Sequence, residues 1–165
     1  MKIPELLSGL TDAHDSSPQM TIKFDASVSE ENRINLIEGL RTTLEARYSS
    51  GLDREGAHHA LLMSWEAVTN AAKHGNLHKS GKLVILKAWF GENDFLIGAR
   101  DEGTFYSDPE TKRRVEAREH IQAADNGQEH NGCGFWTIGN CAEIIHVDCS
   151  QNALFLGRRV TIKDE

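Results

Sequence analysis

The sequence contains no run of apolar residues long enough to cross a bilayer, and its first residues lack the charged-then-apolar order of a secretory signal. We therefore expect a cytoplasmic protein without direct contact to a membrane. The 165 residues carry 18 basic and 25 acidic side chains, a formal net charge of -7. Because proteins that bind a nucleic-acid backbone usually concentrate Lys and Arg, this deficit argues against direct nucleic-acid binding.

Cysteine is also scarce. Cys133, Cys141 and Cys149 are eight positions apart, which is neither a Cys-x-x-Cys pair nor an even-numbered disulfide framework, so we expect three reduced thiols. The chain further lacks the Gly-x4-Gly-Lys-Ser/Thr phosphate loop and the His-Arg-Asp catalytic loop. The sequence therefore does not favour a P-loop NTPase or a eukaryotic-type protein kinase.

What is present is typical of one folded domain. The chain is 39% hydrophobic and 26% charged, which is ordinary for a soluble globular protein and excludes disorder of the whole chain. Its length is sufficient to bury a substantial core. We predict an N-terminal arm over residues 1–18, which is loose or contacts a partner, and a single domain over residues 19–165.

The most informative segment is Trp65 to Asn76, within a helix predicted to begin at Asp53 and to break at Gly75. In this helix Glu66, Asn70 and His74 share one face. A carboxylate one turn before a carboxamide suits metal-nucleotide chemistry. Asn offers a carbonyl oxygen to a hard cation such as Mg²⁺, and Glu can take a proton from a hydroxyl. The alternative is an ordinary amphipathic helix that ends at Gly75. The opposite, apolar stripe consists of Leu61, Trp65, Val68 and Ala72.

Two glycine-containing segments follow. Asp101-Glu-Gly103-Thr-Phe105 comes after an apolar run, so a strand is predicted to enter a tight turn that can point a carboxylate into a pocket. Gly132 and Gly134 begin the last predicted helix, where glycines let backbone N–H groups approach a phosphate closely. Each glycine pair alone is typical of an ordinary turn. The three elements in this order are more informative than any one of them.

The order of these motifs resembles the N, G1 and G2 boxes of the GHKL ATPases. The matching patterns are Glu66-x3-Asn70-Ala-x2-His74-Gly75, Asp101-x-Gly103-x-Phe105 and Gly132-x-Gly134-x3-Ile138. Within that superfamily the chain is most similar to the anti-sigma-factor serine/threonine kinases of bacterial partner-switching systems. The resemblance covers roughly residues 20–163, because the segment from Gly157 to Lys163 also resembles the final strand of that family.

The predicted element order is β-α-α-β-β-lid-α-β-β, which indicates a two-layer α/β sandwich. The resemblance implies that it is of the Bergerat type, with a mixed, mainly antiparallel sheet covered by helices on one face. The first helix is predicted to bury Ile34, Ile37, Leu40, Leu44 and Tyr48, and the strands are predicted at residues 20–28, 82–90, 94–100, 144–149 and 153–162.

Residues 106–131 are predicted to form a mobile lid between the two glycine boxes. The basic residues of this lid would contact phosphate groups when the lid closes. The alternative is a solvated helix of mixed charge. The basic residues concerned are Lys112, Arg113, Arg114 and Arg118.

The resemblance also implies roles for single residues. Asp101 would accept a hydrogen bond from the adenine amino group of ATP, and Asn70 would coordinate Mg²⁺ that bridges the phosphates. Glu66 would be the general base toward a serine or threonine hydroxyl of a partner protein. His74 would either contact the nucleotide region or only end the helix. The remaining nucleotide-binding residues implied are Gly103, Gly132, Gly134 and, beside Asp101 on the last strand, Thr161.

The leading functional hypothesis is therefore an ATP-dependent serine/threonine protein kinase that phosphorylates an anti-sigma-factor antagonist and sequesters a sigma factor. An alternative keeps the ATP-dependent fold but lacks phosphotransfer, so that nucleotide only sets which protein is bound. The catalytic domain of a two-component histidine kinase fits less well, because the first 20 residues do not accommodate a helical dimerisation and phosphoacceptor segment. Since members of the family commonly dimerise, we expect a homodimer.

Overall fold

The computed structural model describes residues 17–48, 54–91, 94–119 and 133–159, so that most of the predicted N-terminal arm lies outside the described part. None of the helices in these ranges is long and apolar enough to cross a membrane. The strands are β1 (Met20–Asp25), β2 (Leu83–Phe90), β3 (Asp94–Arg100), β4 (Ile144–Asp148) and β5 (Ala153–Arg159). The helices are α1 (Glu30–Arg47), α2 (Arg54–Asn70), α3 (Pro109–Glu116) and α4 (Cys133–Cys141), with a π-helical turn at Ala71–Gly75 and a 3₁₀ turn at Phe105–Ser107.

The five strands form one sheet in the order β1-β2-β3-β5-β4, and each of its four pairings is antiparallel. Strands β2 and β3, which are consecutive in the sequence, pair as a hairpin. Its end is held by Tyr48, whose hydroxyl lies 3.1 Å from the carbonyl oxygen of Gly91 and 2.7 Å from that of Asp94. The end of α1 is thereby tied to the tip of the hairpin.

The sheet has one face packed against helices. Alternate residues of β2 and β3, such as Val84, Leu86 and Ile97, are buried in the main hydrophobic core. Helix α2 contacts β2, β3 and β5 and contributes the fully buried Val68, and the π-helical turn after it contributes the fully buried Ala72. The predicted α/β fold is thus confirmed, and it places the polar face of α2 at the end of the sheet where β3 leaves it.

Four of the five core positions predicted for the first helix are buried, and the prediction for the fifth is wrong. Ile34 is 47% exposed, whereas Arg33 is only 7% exposed. Helical geometry places Arg33 within the arc of the buried residues and Ile34 about 40° outside it. The Arg33 guanidinium lies 5.7 Å from the ring centre of Trp65 and donates to the Val28 carbonyl at 2.8 Å. These two contacts stabilise the charge at the core boundary. The confirmed positions are Ile37, Leu40, Leu44 and Tyr48.

Helix α3 covers the edge strand β4. Lys112 Nζ donates to the Val147 carbonyl at 2.6 Å, and the Glu116 carboxylate accepts from the Val147 amide at 2.8 Å. These bonds occupy backbone groups that an edge strand otherwise leaves free for another strand. Val115 is 2% exposed and anchors the helix in the core.

Candidate functional site

Helix α2 positions the carboxylate and the amide predicted from sequence. Glu66 and Asn70 are one turn apart in an uninterrupted α-helix and share a face. Asn70 is the last α-helical residue and is only 6% exposed, and its Nδ2 atom has no hydrogen-bond partner. Because buried amide groups are almost always hydrogen-bonded, this atom marks a position where a ligand fits.

Glu66 is half-buried on the side of α2 that faces α4. Burial raises the pKa of its carboxyl above the ordinary value for Glu. The pKa of the Cys141 thiol on α4 is raised as well, first by burial and then by the nearby Glu66 carboxylate. A glutamate in such surroundings is a stronger proton acceptor than an exposed one, which suits a general base.

The helix does not end as a simple α-helix at Gly75. Ala71–Gly75 form a π-helical turn, and the Asn76 amide donates to the Ala71 carbonyl at 2.9 Å. This wider turn brings Gly75 against the segment that follows β3. A Cβ atom on Gly75 would overlap the Asp101 carboxylate, and one on Gly103 would overlap the Gly75 carbonyl. Both glycines are therefore required for this close approach.

Asp101 lies at the centre of the site, directly after β3, and is 3% exposed. Its Oδ1 atom accepts hydrogen bonds from the Gly103 amide at 2.7 Å and from Nδ2 of Asn152. Its Oδ2 atom has no partner. Burial raises the pKa of Asp101 to about 6, although the two hydrogen bonds and Arg100 act in the opposite direction. The turn after β3 thus holds a buried carboxylate, and the expectation that it faces a pocket stays a prediction.

Tyr106 lies close to both Asn70 and Asp101. Its side chain is fully buried, and its pKa is raised strongly by burial and next by the Asp101 charge. The Asn70 amide is close enough to lower the pKa of Tyr106, but the two groups do not meet hydrogen-bond geometry. Asn70 and Asp101 therefore both adjoin the same tyrosine ring and each presents a buried polar atom without a partner.

His74 stacks on Phe105, with ring centres 5.3 Å apart and an angle of 27° between the rings. The pKa of His74 is lowered by burial and then by the charges of Lys73 and His78, which favours the neutral imidazole. The stack joins the π-helical turn to the 3₁₀ turn after Asp101. The side chain thus has a structural contact beside the Asp101 segment.

The last glycine segment is described only in part. Gly134 is the second residue of α4, which packs against α2, whereas Gly132 and Thr161 lie outside the described residues. The roles expected for these three residues therefore stay predictions.

Residues 106–119 are the described part of the predicted lid. The basic side chains in this part contact other groups of the protein. Lys112 binds β4, and the Arg113 guanidinium pairs with Glu110 at 2.8 Å and Glu119 at 2.7 Å. Arg114 lies 3.9 Å from Glu119. Arg118 donates to the carbonyl oxygens of Gly139, Ala142 and Glu143 at the end of α4. In residues 106–119 these basic side chains thus contact other groups of the protein. Residues 120–131 lie outside the described residues, and the predicted lid stays a prediction.

Two residues of the site were missed by the sequence analysis. Asn152 lies in the turn between β4 and β5, where an Asn is typical of any turn. Tyr106 follows the Asp101 segment without a distinctive pattern. Asn152 carries no sequence signal because its contact with Asp101 depends on how β3 pairs with β5.

Comparison with known proteins adds one finding. A family model described as a histidine kinase-like ATPase domain matches residues 31–161, which is most of the chain and includes every segment of the site. A search of curated proteins found no significant match.

Proposed function

The chain belongs to the histidine kinase-like ATPase (GHKL) family, and on that premise we propose that it is an ATP-dependent serine/threonine protein kinase. Its substrate would be an anti-sigma-factor antagonist, and the protein would also sequester a sigma factor. The observation that carries the proposal is the placement of a half-buried Glu66 one turn before Asn70, beside the buried Asp101.

The buried polar atoms fit an adenine nucleotide with its metal. Asp101 Oδ2 is an acceptor without a partner and suits the exocyclic amino group of adenine, and Asn70 Nδ2 is a donor without a partner and suits a phosphate oxygen. The atom of Asn70 that would coordinate the metal is its carbonyl oxygen. Bound Mg²⁺ would neutralise charge on the phosphates. We propose supporting roles for His74 beside the nucleotide and for the backbone or side chains of Gly103, Gly132, Gly134 and Thr161.

Phosphotransfer requires a base near the attacking hydroxyl. Glu66 is proposed to hold the proton of a serine or threonine hydroxyl from the partner protein while that oxygen is oriented toward the γ-phosphate. Its raised pKa increases its affinity for that proton. Since Asn70 points from the same helix face, the base and the metal site keep a fixed spacing.

The partner proteins follow from the family resemblance and from charge. A net charge of -7 favours association with a basic surface, which suits a sigma factor as a DNA-binding protein. We also propose a homodimer in which the β1 and α1 region forms a two-fold interface.

The test uses paired variants with radiolabelled ATP and an anti-sigma-factor antagonist as the acceptor protein. Glu66→Gln should lower transfer about 10²- to 10⁴-fold while nucleotide affinity is retained, and Glu55→Gln, an exposed position on the same helix, should change neither. Asn70→Ala should weaken Mg²⁺-dependent binding itself.

Equal loss of nucleotide binding in the Glu66 and Asn70 variants would contradict this division of roles. Tight ATP binding without transfer in the wild-type protein would instead favour the ATP-gated regulator, in which nucleotide only changes partner affinity. Transfer retained in Glu66→Gln would exclude Glu66 as the base.

A further inference from the structure

Asn152 is an unusual residue in the turn between β4 and β5. Its backbone is in the left-handed region, with a φ of 50°, and its side chain is only 7% exposed. Asn tolerates this conformation better than most residues. A turn residue normally directs its side chain to solvent, so burial of this amide indicates a specific role.

The side chain of Asn152 binds both sides of the turn that follows β3. Its Nδ2 donates to Oδ1 of Asp101 and lies 3.4 Å from the carbonyl oxygen of the same residue. Its Oδ1 accepts from the Tyr106 amide at 2.8 Å and from the Ser107 hydroxyl at 3.3 Å. One amide therefore fixes the Asp101 carboxylate and the 3₁₀ turn at the same time.

The orientation of the Asp101 carboxylate follows from these bonds. Both of its donors, the Gly103 amide and the Asn152 amide, bind Oδ1, and Oδ2 is left buried without a partner. The carboxylate thus cannot rotate without losing two hydrogen bonds. The free oxygen is held as an acceptor in a place that excludes water.

We propose that Asn152 is the positioning residue that makes this site select a purine with a 6-amino group over one with a 6-oxo group. The inference rests on the proposed nucleotide function and goes beyond it, because it assigns base selectivity to a residue outside the glycine boxes. An amino group donates to a carboxylate acceptor, whereas an oxo group needs a donor at the same position. The Asn152 amide donates its N–H to Oδ1 of Asp101 and so favours the ionised carboxylate, in which Oδ2 is a hydrogen-bond acceptor.

The Asn152→Asp variant removes the N–H donor with little change in size. A second carboxyl group beside Asp101 disfavours two adjacent negative charges, so the pair keeps one proton. That proton lies between Oδ1 of Asp101 and the new carboxyl group, which lowers the negative charge on Asp101 and makes Oδ2 a weaker acceptor. The variant should therefore lose affinity for adenosine and leave the affinity for inosine little changed.

Calorimetry with adenosine and inosine tests the proposal, because neither ligand carries a phosphate. In Asn152→Asp the preference for adenosine over inosine should fall at least about tenfold, the effect expected when a hydrogen bond to a charged group is lost. Asn152→Gly keeps the left-handed backbone and should weaken adenosine binding without favouring inosine. Asn32→Asp, the same change at an exposed position of α1, should leave both affinities unchanged. An unaltered ratio in Asn152→Asp would overturn the proposal.

A second measurement separates this inference from the proposed function. If the wild-type protein bound neither nucleoside, nucleotide recognition would fail, but the role of Asn152 would still be visible in the ¹³C NMR titration of the Asp101 carboxyl group. The Asn152 hydrogen bond lowers the pKa of Asp101, so both variants should move the midpoint upward. Arg100 and Tyr106, the other groups that act on Asp101, are unchanged in both variants. A midpoint equal to that of the wild type would exclude the positioning role.

Discussion

Gly75 and Asp101 are packed so closely that the Asp101 carboxylate occupies the space that a side chain on Gly75 would need. The contact joins the π-helical turn after α2 to the turn after β3. It fixes the distance between the Glu66 and Asn70 face of the helix and the only buried carboxylate in the described residues. Removal of this contact should therefore disturb binding more than a comparable change elsewhere.

Gly75→Ala is expected to weaken nucleotide binding by at least about tenfold and to lower the free energy of unfolding by about 1–3 kcal/mol, as overpacking of a tight contact does. Calorimetry and chemical denaturation measure the two effects. Gly139→Ala is the matched control, because a Cβ there meets no atom within 4 Å. That helical position should gain about 0.5–1 kcal/mol. Equal behaviour of both variants would contradict the account.

The raised pKa of Asp101 predicts opposite pH dependences for binding and for stability. Adenosine binding requires the ionised carboxylate, so affinity should fall about tenfold between pH 7.5 and pH 5 for a group with a pKa of about 6. The free protein behaves in the reverse sense. A pKa above the unfolded value contributes stability that is complete below about pH 4 and is lost as pH rises through about 6.

The control for this prediction is Asp101→Asn. The variant should lose the pH dependence of adenosine binding over this range and should lose the preference for adenosine. Thermal unfolding should show that its stability relative to the wild type increases as pH rises from 5 to 7.5. A wild-type affinity that stays constant from pH 7.5 to 5 would show that Asp101 is not the group that binds the base.

Arg118 is predicted to act in stability and not in phosphate binding. Its guanidinium satisfies carbonyl groups at the end of α4, where a helix carries partial negative charge. Arg118→Ala should lower the free energy of unfolding by about 1 kcal/mol. Arg41→Ala, which removes exposed ion pairs on α1, should cost less than about 0.5 kcal/mol. A loss of ATP affinity in Arg118→Ala without a loss of stability would support the lid interpretation instead.

The fold was predictable because its elements carry local signals. An apolar run interrupted only by Lys87 defines β2, and Val68 and Ala72 repeat at helical spacing along α2 and the turn that follows it. The π-helical turn has no such signal, since Ala71–Gly75 reads as an ordinary helix end. Arg33 was missed in the core for a similar reason, because its burial depends on Trp65 from another helix.

The site residues also divide into those with a local sequence signal and those that depend on tertiary packing. Asp101 was predictable because a strand precedes it and a glycine follows it, which together indicate a turn with an inward carboxylate. Asn152 was not, because it reaches Asp101 only through the pairing of β3 with β5. The partners of Lys112 and Arg118 likewise depend on the packing of α3 and the residues after it against the rest of the domain, whereas Arg113 pairs locally with Glu110 and Glu119. The residue types indicate the chemistry of the site, whereas tertiary packing determines which of these side chains are in contact.

The most direct test of the central claim is the binding of ATP and GTP to the wild-type protein, measured by calorimetry with and without Mg²⁺. The account predicts that ATP binds more tightly than GTP and that Mg²⁺ strengthens ATP binding, because Asp101 selects the base and Asn70 contacts the metal. Absence of ATP binding, or equal affinity for the two nucleotides, would contradict it.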